Sequence, residues 1–220
     1  ESNKLKTLPR EITKLKNLEA IHLKGNAELD LEKVCTVLAG LPNLKQLSFR
    51  QWKLQYLPES LGDMTQLESL DLEENNLVVL PDSLKKLKNL KEIKYQDNQE
   101  LNLESLIDNL ACWPQIKEFR FYRTSLYSDE VALQDSPNNL GLLKNLDSLS
   151  FSYIRGLKNI SETIGELNDL KSLNIISTGV SELPQTIGKL KQLESLVIRN
   201  NPNLTQIPES LYNLTDLKEL

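Results

Sequence analysis

Residues Leu67 to Pro81 read "LESLDLEENNLVVLP", with leucine at positions 67, 70, 72, 77 and 80. Spacings of three, two and five fit neither one helix nor one strand. Leu70 and Leu72 alternate with Ser69, Asp71 and Glu73, the period-two signature of a short strand buried on one face. Leu67 turns inward just before it. Asn75 falls where the chain leaves the strand, and an Asn side chain can serve the buried backbone groups that a bend exposes. Leu77 and Leu80 cross the core and Pro81 opens a return limb. "DSLKKLKNL" then sets Leu84, Leu87 and Leu90 three apart, one inward face of a helical turn.

The same frame, Leu-x-x-Leu-x-Leu-x-x-Asn, recurs along the chain. It starts at Leu18 ("LEAIHLKGN"), Leu44 ("LKQLSFRQW"), Leu67, Leu90 ("LKEIKYQDN"), Ile116 ("IKEFRFYRT"), Leu146 ("LDSLSFSYI"), Leu170 ("LKSLNIIST") and Leu193 ("LESLVIRNN"), and a ninth opens at Leu217. Successive starts lie 26, 23, 23, 26, 30, 24, 23 and 24 residues apart. The return limbs are regular too: "LPREI" at 8–12, "LPESL" at 57–61, "LPDSL" at 80–84, "LPQTI" at 183–187 and "IPESL" at 207–211.

With these residues the chain resembles the leucine-rich repeat family over essentially its whole length. The 23-residue unit with its Leu-Pro hinge is similar to the Scribble and Roco type, which is also widespread in bacterial repeat proteins. The resemblance implies an α/β solenoid, right-handed, with a parallel β-sheet on the concave face and short helices or 3-10 turns on the convex one. One domain of about nine repeats is expected over 1–220, as a fragment of a longer protein. One unit cannot enclose its own leucines, whereas stacked neighbours can.

A longer period overlies the first. Residues 26–49 parallel residues 98–121 at an offset of 72, and both have an extended apolar-periodic return, so each should carry a fuller helix. The 30-residue unit should project a loop or helix around 127–139.

Composition narrows the function classes. With 26 Lys+Arg against 31 Asp+Glu the net charge is -5, unfavourable for phosphate backbones. No apolar run reaches the ~18 residues of a membrane span. One histidine, His22, and no Ser-His-Asp or Cys-His framework leave nucleophilic catalysis without a base. No enzyme activity, cofactor or metal site is expected. Cys35 and Cys112 read as buried free thiols in repeats too far apart to pair, which suits a reducing compartment. Acid pairs such as Asp71 and Glu73 read as solvated charge, since an open sheet offers no pocket to raise a carboxyl pKa. Trp113 reads as core. Trp52, in an Asn position, reads as a packed core substitute, with a binding aromatic on the rim as the alternative.

Function is therefore expected in the x positions, aligned as columns on one continuous strand face. The first column is His22, Ser48, Asp71, Lys94, Arg120, Ser150, Asn174 and Val197. The second is Lys24, Arg50, Glu73, Gln96, Tyr122, Ser152, Ile176 and Arg199, and the third includes Arg123 and Tyr153. Arg120, Tyr122, Arg123 and Tyr153 with exposed Ile176 and Val197 form the composition of an interaction hot spot. Arg50, Asp71, Glu73, Lys94 and Arg199 complete the candidate contact set. The resemblance implies a module, expected to be monomeric, that binds a protein or peptide. The alternatives are a recognition arm of a larger GTPase, kinase or effector ubiquitin ligase, and a surface adhesin.

Overall fold

A computed structural model of the protein describes residues 3–122 and 133–220, and of Tyr122 the backbone alone. Of the segment expected to project around 127–139, residues 127–132 thus lie outside the described residues. Its last part runs beside the next repeat, where Asp135 bridges Asn159 in parallel.

The described strands follow the repeat frame one for one. They are β1 (Ala20–His22), β2 (Gln46–Ser48), β3 (Ser69–Asp71), β4 (Glu92–Lys94), β5 (Glu118–Tyr122), β6 (Ser148–Ser152), β7 (Ser172–Ile176) and β8 (Ser195–Arg199). All pairings are parallel, in two four-stranded sheets ordered β1-β2-β3-β4 and β5-β6-β7-β8. One continuous ladder of eight had been expected. The chain likewise divides into two compact units, Glu1–Gln115 and Ile116–Leu220.

In the first unit the frame leucines close the core as the spacing requires. Leu67, Leu70, Leu72, Leu77, Leu84, Leu87 and Leu90 are all fully buried, and each such side chain stabilises the fold by roughly 1.5–3 kcal/mol. The two long returns carry α1 (Leu31–Leu38) and α2 (Leu103–Leu110), 72 residues apart as the internal parallel predicts. Each begins on a side-chain cap. Asp30 accepts from the Lys33 N–H at 3.2 Å and Asn102 from the Ser105 N–H at 2.9 Å. Val34, Cys35 and Leu38 face the core from α1, as Leu106, Ile107 and Leu110 do from α2.

Cys35 therefore occupies the place of Ile107, and burial pushes its thiol up to about 12. Cys112 corrects the sequence reading. It is free but only half-buried, because it follows the end of α2 where Gly40 follows α1. Trp113 is fully buried, its Nε1–H donating to the Leu84 carbonyl at 2.8 Å.

The second unit has the same plan with more aromatic content. Phe121 of β5 stacks on Phe151 of β6, centroids 5.0 Å apart, and Phe119 meets Phe121 edge-on at 4.9 Å. Single-turn 3-10 helices at Glu162–Glu166, Gln185–Lys189 and Glu209–Asn213 form its short returns. Successive returns touch backbone to backbone. A Cβ built on Gly188 would lie 2.3 Å from the Ser210 carbonyl oxygen. We expect Gly188→Ala to destabilise the protein by about 1–3 kcal/mol, the usual cost of overpacking, measured as a lowered urea midpoint by circular dichroism.

Candidate functional site

The sheet register makes the predicted columns into structural rows. His22, Ser48, Asp71 and Lys94 are successive partners across β1–β4. Arg120, Ser150, Asn174 and Val197 are partners across β5–β8, and so are Tyr122, Ser152, Ile176 and Arg199. Each row alternates with the buried frame residues, so its side chains share the face opposite the core. Parallel strands stand only ~4.8 Å apart, however, and short side chains on that face are shaded by longer neighbours. Ser48, Ser150 and Ser152 are thus buried although they point away from the core. Among the exposed members are His22, Lys94, Arg120 and Arg199, while Arg50, Asp71, Glu73, Ile176 and Val197 are half-buried. Arg123 and the Tyr122 side chain lie outside the described residues.

On the first unit the charges answer one another. Arg50 pairs with Glu73 through Nη1 at 2.7 Å and donates to Glu74 through Nε at 2.8 Å. Gln51 donates to the second oxygen of Glu74. Ser48 donates to Asp71 at 2.9 Å, and Asp71 accepts the Glu73 N–H at 3.0 Å. Lys94 lies 3.6 Å from Glu92.

Glu73 corrects the view that this face cannot perturb a carboxyl group. Burial holds its pKa above the ordinary value, outweighing the attraction of Arg50, with Asp71 adding to the rise. Glu74 shifts the other way, lowered first by the Gln51 hydrogen bond and then by Arg50. The signs lead to opposite pH dependences. A raised carboxyl pKa gives stability that is present at acid pH and lost as the group ionises. A lowered one gives stability that is present above the ordinary pKa and lost on acidification. Relative to the wild type, Glu73→Gln should therefore do better at pH 7 than at about pH 4, and Glu74→Gln worse. Urea midpoints at the two pH values check this.

The third column has a backbone property that no sequence pattern announced. Gly25, Gln51, Glu74, Asp97, Tyr153, Ser177 and Asn200 all have left-handed φ, between 54° and 70°. The chain must turn sharply out of each strand there, and a bond to the next repeat fixes the turn. The Gln51 N–H donates to the Glu73 carbonyl at 3.2 Å, and that of Tyr153 to the Ile176 carbonyl at 2.9 Å. Gly, Asn and Asp tolerate this region, whereas a bulky tyrosine there is strained. Tyr153 has φ 60° and is 67% exposed.

Trp52 is settled as core. It is 3% exposed, packs edge-on against Phe49 at 5.0 Å, and its Nε1–H donates to the Leu23 carbonyl at 2.6 Å. Asn75, Asn98 and Asn201 give their amide N–H to the equivalent carbonyl of the preceding repeat: Phe49, Leu72 and Ile175 respectively. The indole thus supplies the bond an asparagine would.

A second set of polar residues escaped the sequence reading. Within each unit the residue after the first apolar position of each frame alternates in sign, and Lys45 lies between Glu19 at 3.9 Å and Glu68 at 4.0 Å. Lys91 continues to Glu68, Lys171 pairs with Asp147, and Lys218 with Glu194. The alternation at one frame position was the available signal. Exposed pairs of this kind are worth about 0–1 kcal/mol each. Among the described residues no cluster of His, Cys, Asp and Glu could hold a metal ion, and no helix is long and apolar enough to cross a membrane.

Parallel strands at a 23- to 30-residue period, buried leucines and an asparagine ladder between repeats together decide the architecture. The protein has a leucine-rich repeat fold. The family described as "Leucine-rich repeat region" matches residues 112–220. A leucine-rich repeat protein of Leptospira interrogans superposes with a TM-score of 0.60 at 24% identity, over 99% of this chain and 59% of that one. An internalin of Listeria monocytogenes gives 0.56 at 20% identity, over 97% of this chain and 63% of the other. A chain of the Drosophila Toll–Spatzle complex gives 0.75 at 24% identity, over 99% of this chain and 28% of that one. The chain thus spans less than two thirds of each. No curated protein matches it in sequence.

Proposed function

We propose that this leucine-rich repeat protein binds a protein or peptide partner on the exposed face of its strands, the concave face of the expected solenoid. The contact zone centres on the second unit, with Arg120, Tyr153, Ile176, Val197 and Arg199. Tyr153 is the observation that carries this reading. A large aromatic stands mostly in solvent at the end of β6, and beside it Ile176 and Val197 keep apolar surface half-exposed. Tyrosine and arginine are the usual anchors of protein interfaces. The Toll–Spatzle complex is itself an assembly in which a chain of this fold takes part, a precedent that favours the same use here. The 23-residue Leu-Pro unit further supports placing the repeats in the Scribble and Roco type.

Photocrosslinking tests the face. A benzoylphenylalanine is placed at position 153 or 197, or at exposed Lys189 on a return, and the protein is irradiated in a lysate of its source. Adducts at 153 and 197 but not at 189 are expected. Adducts confined to 189 would move the function to the returns.

A further inference from the structure

We propose that the strand face of the second unit selects an acidic peptide segment, seating an aliphatic side chain between two of its carboxylates. This rests on the reading of that face as the binding surface and adds the chemistry of the partner.

The two units differ in what their faces leave unanswered. On the first, Arg50 is spent on Glu73 and Glu74, and Lys94 lies beside Glu92. On the second, the rows from Arg120 and Tyr122 to the strand ends contain Ser, Asn, Ile, Val and Tyr, and their described charges are Arg120 and Arg199 alone. Among the described residues the acidic groups of this face lie at the strand starts. Asp147 and Glu194 there are held by Lys171 and Lys218, and Glu219 accepts the Ser195 hydroxyl at 2.8 Å, which leaves Glu118, two residues before Arg120. Arg199 is exposed, and its guanidinium has no hydrogen bond or ion pair among the described residues. Arg120 does interact within the protein, but a guanidinium has five donors and can take a carboxylate as well.

Spacing adds a length. Three strand intervals separate β5 from β8, about 14 Å at ~4.8 Å each. Arg199 also stands two residues further along its strand than the row of Arg120, so the span is about 16 Å, and an extended peptide advancing ~3.3 Å per residue should place its carboxylates about five residues apart. Between the arginines the floor is shallow. Ser150 and Ser152 are buried and hydrogen-bonded to each other at 2.7 Å, so a peptide backbone can approach closely. Ile176 and Val197 then offer half-exposed apolar surface to an aliphatic residue. Single-stranded nucleic acid is the less suitable ligand. Two arginines on a chain of net charge -5 are few against a phosphate backbone.

Fluorescence anisotropy with the 220-residue protein tests the proposal. The probes are labelled dodecapeptides with glutamates about five residues apart around an isoleucine, the same peptides with lysine for glutamate, and a labelled oligothymidine. The acidic peptide should bind at least tenfold more tightly than its lysine counterpart, and more weakly as salt rises. Arg199→Glu and Arg120→Glu should each cost at least tenfold, while Lys189→Glu on the return leaves binding unchanged, and thermal melts should show every variant folded. Preference for the lysine peptide or the oligothymidine would overturn the acidic partner and leave the face intact. So would binding of neither peptide, because crosslinking at 153 and 197 judges the face independently.

Discussion

Replacing Asn75 by alanine is expected to cost about 3–5 kcal/mol, a third or more of the stability of an ordinary domain. The side chain is 3% exposed and its two ends serve opposite needs. Its oxygen accepts the N–H groups of Trp52 at 2.9 Å and Leu54 at 3.1 Å. Its nitrogen donates to the carbonyls of Leu72 at 2.9 Å and Phe49 at 3.0 Å. Alanine removes all of these partners at a depth where water does not replace them, and each orphaned group costs about 1–3 kcal/mol. Urea unfolding followed by tryptophan fluorescence is the direct measurement, because both tryptophans, Trp52 and Trp113, belong to the first unit. Asn75→Asp sharpens the test. It keeps the acceptor but loses the donor, so it should also destabilise, whereas a solvated Asn75 would tolerate the change. A loss below about 1 kcal/mol for alanine would mean that the ladder is not what closes the bend.

Trp52→Ala should be comparably severe, about 3–5 kcal/mol, for a different mixture of reasons. The indole fills the space between repeats, packs on Phe49 and satisfies the Leu23 carbonyl. Trp52→Phe separates these contributions. It restores most of the packing but leaves the carbonyl unpaired, so a residual loss of about 1–3 kcal/mol is expected. Trp52→Asn restores the ladder's hydrogen bond but leaves a void, and should remain close to the alanine variant. With Trp113 as the remaining fluorophore, all three can be read by one method. Recovery by asparagine rather than phenylalanine would show that the bond outweighs the packing.

Both predictions concern the ladder position, which shows how far the sequence could be read. Recurrence of the frame named the asparagine and its role before any coordinates, and Asn26, Asn75, Asn98 and Asn201 all donate to carbonyls at the third apolar position of a frame. The sequence leaves Trp52 between core and rim because a single sequence shows which residue departs from the frame, not where its ring goes. Thr178 illustrates the same gap. It remains in the ladder only because Asn201 of the next repeat accepts both its backbone N–H, at 2.9 Å, and its hydroxyl, at 2.7 Å. For the candidate site, the rows were legible and their exposure was not. Arg120 and Val197 fell into register as expected, but Ser150 and Ser152 are shaded by neighbours 20 or more residues away in the chain.

The sequence alone determined the repeat, the strand positions, the core leucines and the two longer helices. Each of these follows from a periodicity that one unit repeats regardless of its neighbours. Only the tertiary structure decided the grouping of strands into two ladders of four, the raised carboxyl of Glu73 and the left-handed turn beneath Tyr153. Those depend on how closely successive repeats approach, and distance between repeats sets burial, hydrogen bonding and backbone turn together. A one-dimensional pattern carries no measure of that distance.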